Sequence, residues 1–344
     1  MQRILERGEI ESLDHISIER LRLPSAQSLF VQRAARLRRL AAGEIIGTPV
    51  NPALSGYLLL MADLVEAQHA VIQTLSIADA ILPDQAALEN ARRYAMPPLL
   101  PPQGELPPLW LTIFDRLLTQ LDATAASRPQ LVPILAALRA LDHAALDVLA
   151  DAVLTQRPEA LASEQATAHA PFVAAALQVW WTYRASQLSP KDVPTLETGT
   201  VCPVCGSQPV ASVVRIGGQS QGYRYLHCGM CASEWHMVRV KCSNCEQNAK
   251  IAYQGLDSRG DVDHAEAADV PAPLVNKAND PQKVIRAETC DDCLTYRKIV
   301  NQEHDYEVEP LADDLASLML DVLVTEEGYI RASINPLLWF SGAV

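Results

Sequence analysis

The spacing of apolar residues changes character once along this chain. Through the first 190 positions Ala and Leu recur at the three-and-four interval of helices, and prolines punctuate the runs. One helix is predicted from Ser25 as N-cap, after Pro24, to just before Gly43. Leu29, Phe30, Ala34, Leu37, Leu40 and Ala41 make its apolar stripe, and Arg33, Arg36 and Arg39 its other face. Further helices are expected over Tyr57 to Leu75, Pro108 to Asp122, Pro129 to Leu141, Ala144 to Leu154 and Pro171 to Ala185. The stretch Met96 to Pro108 (MPPLLPPQGELPP) reads as a stiff spacer, because its prolines exclude helix and favour extended backbone.

At Ser189-Pro190 the helical period stops and short alternating segments begin, which places a domain boundary there. Val210 to Ile216 and Tyr223 to His227 read as strands folded back at Gly217-Gly218, and Trp235 to Val240 as a third strand. A long stretch, Gly255 to Pro281, is acidic and contains Gly and Pro. It reads either as a docking loop or as a solvated excursion. Helical spacing returns over Leu311 to Val324. The run Glu303 to Glu327 holds nine acids and no Lys or Arg, which suits a solvated face or one that steers a basic partner.

Length and composition allow about two domains with a real core: 344 residues, 49% of them hydrophobic. The longest apolar stretches, Tyr57 to Ala62 and Pro171 to Leu177, fall far short of the roughly 18 residues of a membrane span, so no membrane insertion is expected. The opening MQRILERGEIESLDH is charged and lacks the apolar core of a secretory signal, which predicts a reducing, cytoplasmic location. Residues 1 to 190 carry a net charge of -4 and residues 191 to 344 carry -9. Nucleic acid is therefore not an expected partner, since phosphate binding needs basic surface.

All eight cysteines lie in the acidic half, as four CxxC pairs: Cys202/Cys205, Cys228/Cys231, Cys242/Cys245 and Cys290/Cys293. Two such turns supply the four thiolates of a tetrahedral zinc or iron site. Disulfides fit a reducing compartment poorly, and a thioredoxin-type CxxC normally stands alone beside a βαβ unit. Sequential pairing, the first turn with the second and the third with the fourth, is favoured over interleaving. The Gly217-Gly218 hairpin can bring the first two together, whereas Cys242 follows Cys231 by only eleven positions.

With every ligand a thiolate, neither site keeps a position for water, so Lewis-acid hydrolysis is not expected. Zinc there would be structural, and iron would be a one-electron centre of rubredoxin type. His227 and His236 read as packing or hydrogen-bonding residues beside complete cysteine shells, and Trp235 as packing over a cluster. No phosphate loop, dinucleotide fingerprint or Ser-His-Asp order is evident, so the expectation is a non-enzyme. The predicted class is multi-module α+β: an all-helical domain (1–189), two rubredoxin-like or zinc-ribbon-like regions (190–241, and 242–300 with the insertion) and a short helical C-terminal segment (301–344).

The segments CPVCG (202–206), CGMCASEWHMVRVKCSNC (228–245) and CDDCLTYRK (290–298) stand behind LFVQRAARLRRLAAG (29–43) and AALQVWWT (175–182) and before DVLVTEEGYIRASINPLLW (321–339). This arrangement resembles the formate dehydrogenase accessory protein family, FdhE. The resemblance implies a cytoplasmic, non-catalytic maturation factor for respiratory formate dehydrogenase, a molybdenum or tungsten enzyme. Such a factor contacts the catalytic subunit and carries iron on the eight cysteines; zinc and a homodimer stay open. Two rivals are a rubredoxin-like electron carrier and a nucleic-acid-binding zinc ribbon, for which only Arg224, Arg239, Lys241 and Lys250 lie near the knuckles.

Overall fold

The computed structural model describes residues 18–44, 52–101, 106–157, 163–248, 250–256 and 283–338. The opening segment 1–15, positions 102–105 of the proline-rich spacer and the insertion from 257 onward lie outside the described residues.

Seven helices make up the first half as described: α1 (Leu29–Ala41), α2 (Pro52–Ile72), α3 (Gln85–Arg93), α4 (Leu109–Ala125), α5 (Leu131–Arg139), α6 (His143–Thr155) and α7 (Glu164–Ser186). Helix α1 begins later than Ser25, because residues 26–28 form a turn first, and it stops where expected, before Gly43 at φ +71°. The short α3 had no predicted counterpart; Asp84 caps it by accepting from the Ala87 N–H at 2.8 Å. Helix α7 starts seven residues before Pro171 and runs through it, capped by Ser163.

Helix α7 is the axis of this half. Nearly every residue from His169 to Thr182 is buried, because α2, α4 and α6 all pack on it. Trp180 and Trp181 meet edge to face with centroids 4.8 Å apart. Their indole N–H groups donate to Asp79 O and Leu99 O, so Trp181 also anchors the spacer.

Among the described residues the second half is built on one eight-stranded sheet. Its order is β1 (Leu21–Arg22), β4 (Glu234–His236), β3 (Arg224–Cys228), β2 (Pro209–Val214), β7 (Thr295–Asn301), β6 (Ile285–Cys290) and β5 (Ile251–Gln254), with β8 (Ile330–Arg331) pairing β7. The predicted hairpin is β2 and β3, antiparallel, with Val213 opposite Tyr225. The expected strand Trp235 to Val240 ends at His236, since Val238 to Val240 turn out into solvent.

Two features of this sheet were not read from the sequence. Its edge strand β1 comes from the N-terminal part, Leu21 pairing Trp235. And β2 runs parallel to β7, Ser212 opposite Ile299, so the ladder continues from one CxxC region into the other.

The expected helix Leu311 to Val324 is two helices, α8 (Pro310–Ala316) and α9 (Leu318–Glu326), broken at Ser317. Ser317 turns its hydroxyl back to Asp313 O and accepts from Lys298 Nζ. The acids here are only in part a solvated face, Glu303, Glu307, Glu326 and Glu327 being exposed. Glu309, Asp313 and Asp314 are buried, and their partners are the arginines assigned to the outer face of α1 together with Lys298 and Arg331. Arg33 and Arg36 are 1% and 2% exposed, Arg33 on Glu309 and Arg36 bridging Asp313 and Asp305. The basic groups that the buried acids of this run receive belong to the same chain.

Candidate metal centres

The cysteines gather in sequential order. Cys202, Cys205, Cys228 and Cys231 form one group and Cys242, Cys245, Cys290 and Cys293 the other, with all Sγ atoms of a group within 4.8 Å of one another. Sγ separations are 3.6 Å (Cys202–Cys231) and 3.5 Å (Cys205–Cys228) in the first, 3.8 Å (Cys242–Cys293) and 3.7 Å (Cys245–Cys290) in the second. A disulfide needs about 2.05 Å. A tetrahedron with metal–sulfur bonds of about 2.3 Å has edges of about 3.8 Å, so the donor set and its spacing fit a tetrahedral ion in both groups.

The same local turn builds each knuckle. In three of them the N–H of the first cysteine donates to a carbonyl five residues on: Cys202 to Ser207, Cys228 to Ser233 and Cys242 to Gln247. The residue after the second cysteine donates back to the first: Gly206 to Cys202, Ala232 to Cys228 and Glu246 to Cys242. In the fourth, Cys290 pairs Thr295 across β6 and β7. The turn forces the residue after the second cysteine into the left-handed region in all four: Gly206 (φ +79°), Ala232 (+57°), Glu246 (+63°) and Leu294 (+52°). Only one of these is glycine. A Cβ on Gly206 would also sit 2.6 Å from Leu100 Cδ2. Gly206→Ala is expected to cost about 1–2 kcal/mol, mostly from backbone strain since Leu100 can swing aside, and a lowered thermal midpoint checks it.

A hydroxyl two positions after the second cysteine recurs in three knuckles, a signal the sequence carried but that went unread. Ser207 Oγ lies 3.4 Å from Cys205 Sγ, Ser233 Oγ 3.2 Å from Cys231 Sγ, and Thr295 Oγ1 3.1 Å from Cys293 Sγ. Each can donate to a thiolate and so support its charge.

The two groups differ in surroundings. The first is sealed: its four cysteines are at most 1% exposed and belong to the main core with Val204, Met230 and Trp235. The helical half grips it directly, Gln178 of α7 donating to Gly229 O at 2.6 Å and Leu99 N–H to Val204 O at 2.9 Å. Burial pushes the Cys202 and Cys231 thiols up. It opposes ionisation of Cys205 too, but hydrogen bonds from the other three thiols and Ser207 outweigh it and bring Cys205 down.

The second group opens to the surface at Cys245 and Cys293. Burial raises Cys293, yet hydrogen bonds from Thr295, Cys245 and Asn244 outweigh it and lower the thiol to about 7. A buried cation sits behind this group: Arg297 donates to Ser243 Oγ at 2.9 Å, and burial pushes its guanidinium down to about 9.

The remaining residues singled out in the sequence have structural places. His227 Nδ1 lies 2.9 Å from Glu234 Oε1, and Glu234 is paired with Arg215. Both line a cleft of about 600 Å³ between α1 and residues 302–310, whose arginines Arg22, Arg36, Arg39 and Arg215 each pair with an acid of the same chain. His236 packs edge-on against Tyr223 and Tyr225. Trp235 is buried in the main core and donates to Gly199 O at 2.7 Å. Of the four basic candidates near the knuckles, Arg224 is fully buried on Glu288.

Three family descriptions match in series: "FdhE, N-terminal" over residues 18–197, "FdhE, central domain" over 201–239 and "FdhE, C-terminal domain" over 240–338. The chain is 38% identical to "Protein FdhE homolog" of Edwardsiella ictaluri, over 93% of this chain and 91% of that protein. It is 36% identical to "Protein FdhE" of Escherichia coli K12, over 97% and 96%. The crystal structure of the FdhE protein from Pseudomonas aeruginosa superposes with a TM-score of 0.69 at 34% identity, covering 93% of this chain and 98% of that one.

Proposed function

Since the chain belongs to the FdhE family, we propose that it is a cytoplasmic, non-catalytic maturation factor for respiratory formate dehydrogenase that binds the catalytic subunit and carries a metal ion on each cysteine group. The observation that carries this reading is the pair of closed four-thiol shells on a chain matched along nearly its whole length. A shell of four thiolates leaves no position for a substrate oxygen, which suits a protein acting on another protein. Among the described residues no helix is long and apolar enough to cross a membrane.

Iron is the proposed ion. Held by four thiolates it supplies one-electron exchange, and zinc in the same shells would be structural only. The division of labour follows from burial: the first group sits in the core and fastens helices to sheet, while the second reaches the surface through Cys245 and Cys293. Electron exchange with a partner favours the second.

Cells lacking this chain are expected to synthesise formate dehydrogenase subunits without active enzyme, and unchanged activity would sink the reading. Protein purified without air should contain two ions per chain and give a rubredoxin-type Fe(III) signal in EPR after oxidation. A Cys290→Ser/Cys293→Ser variant should keep one. A zinc-only preparation that restores full enzyme activity would remove the redox role.

A further inference from the structure

We infer that the tip of the fourth knuckle, Leu294 with Ile330, is the surface that receives the partner protein, and that it takes a segment presenting one or two apolar side chains flanked by Lys or Arg. The inference rests on the partner-binding reading above and deepens it.

Leu294 follows Cys293 at φ +52°, with 55% of its surface in water. At this position in the other knuckles stand Gly206, Ala232 and Glu246, so the turn does not call for leucine. A bulky apolar residue in the left-handed region is unfavourable for the backbone, and with more than half of its surface in water it returns little packing in compensation. Ile330 is joined to it through the backbone, its N–H donating to Leu294 O at 2.8 Å, and is 59% exposed. The two sit at the open edge of the second cysteine group, beside half-buried Cys293.

The rim is acidic. Asp291 and Asp292 lie within the knuckle itself, Glu326 is the last residue of α9 and Glu327 its C-cap, a short turn ahead of β8; all four are exposed. Tyr329 OH donates to Asp291 Oδ1 at 2.5 Å, which ties this turn to the knuckle. Lys250 lies 3.5 Å from Asp292 of this rim. An apolar centre ringed by carboxylates repels anionic membranes and nucleic acids and attracts cationic flanks. A second copy of this chain, with a net charge of -13, would set acids against acids.

The test is the dissociation constant of the metal-loaded full chain for the isolated catalytic subunit of formate dehydrogenase. Leu294→Asn places a residue tolerant of left-handed backbone there, so metal content is expected to be unchanged and the thermal midpoint unchanged or higher, while Kd rises about tenfold or more. Glu326→Lys/Glu327→Lys should weaken binding at low salt, with the difference shrinking as ionic strength rises. Val148→Asn, at an equally exposed position on α6, should have no effect. Wild-type binding with Leu294→Asn within twofold of it would overturn this surface and leave the proposed function standing. Absence of wild-type binding would overturn both.

Discussion

Replacing Cys228 and Cys231 together by serine is expected to unfold the sheet half of the protein, whereas Cys245→Ser with Cys293→Ser should remove one ion and leave a folded chain. Both pairs belong to four-thiol groups of like geometry, so the contrast comes from their surroundings. The first group is sealed in the main core, and its knuckles hold α7 and the proline-rich segment to the sheet through Gly229 and Val204. Binding of a structural ion of this kind contributes apparent free energies of about 10–16 kcal/mol in small zinc peptides, comparable with the roughly 5–15 kcal/mol net stability of a whole domain. Losing it there also strands polar groups where water cannot reach. Cys245 and Cys293 lie at the surface, and β5, β6 and β7 keep their ladder pairing without them. Metal analysis with circular dichroism on both variants decides. Equal loss of structure in the two, or a folded Cys228→Ser/Cys231→Ser protein, would defeat the argument.

The cysteine groups were legible because ligand chemistry is local: a CxxC turn is built from its own backbone, and its partner could be guessed from one hairpin. Helix positions were legible for the same reason, as the apolar stripe of α1 shows, with Phe30, Ala34, Leu37, Leu40 and Ala41 all buried. What stayed hidden depended on partners distant in sequence. Arg33 and Arg36 read as an outer face because charged residues usually face water, yet they are buried against acids some 270 to 280 positions away. Neither the arginines nor the acids betray this alone, and only their opposite signs connect them. Pro171 misled in another way. Taken as a helix start, it lies inside α7, where Ser163 supplies the cap. The parallel pairing of β2 with β7 left no local mark, because the strands come from different CxxC regions 80 or more residues apart.

Arg36→Met should lower stability by about 3–5 kcal/mol, a fall of roughly 10 °C in thermal midpoint for a unit of this size. Arg36 is 2% exposed and meets Asp313 through two nitrogens, at 2.5 to 3.2 Å, and Asp305 at 2.6 Å. Removing the guanidinium leaves Asp313 a buried charge supported by the Glu309 N–H. That uncompensated carboxylate causes most of the loss, so Asp313→Asn in the Arg36→Met background should recover a good part of it while keeping an acceptor for Glu309. A double variant no better than the single would place the loss in packing instead.

The buried ion pairs also predict an acid limit. Burial disfavours the Glu309 charge, but Arg33, His227 and the Ala312 N–H outweigh it and hold the carboxyl below its ordinary range. Glu234 is held low likewise, with Arg215 and His227 overcoming burial. Both therefore contribute stability that is full above the unfolded glutamate value of about 4.3 and is lost as pH falls below it. Asp313 works in the opposite sense, since burial raises its carboxyl despite Arg36, while Arg331 and Lys298 hold Asp314 low against burial, so the acid loss is shared by the two glutamates and Asp314. Thermal melts across this range should show Glu309→Gln less stable than wild type at pH 7 and closer to it at pH 3.5. A gap that stays constant with pH would mean that the Glu309 charge contributes nothing to holding α1 against the sheet.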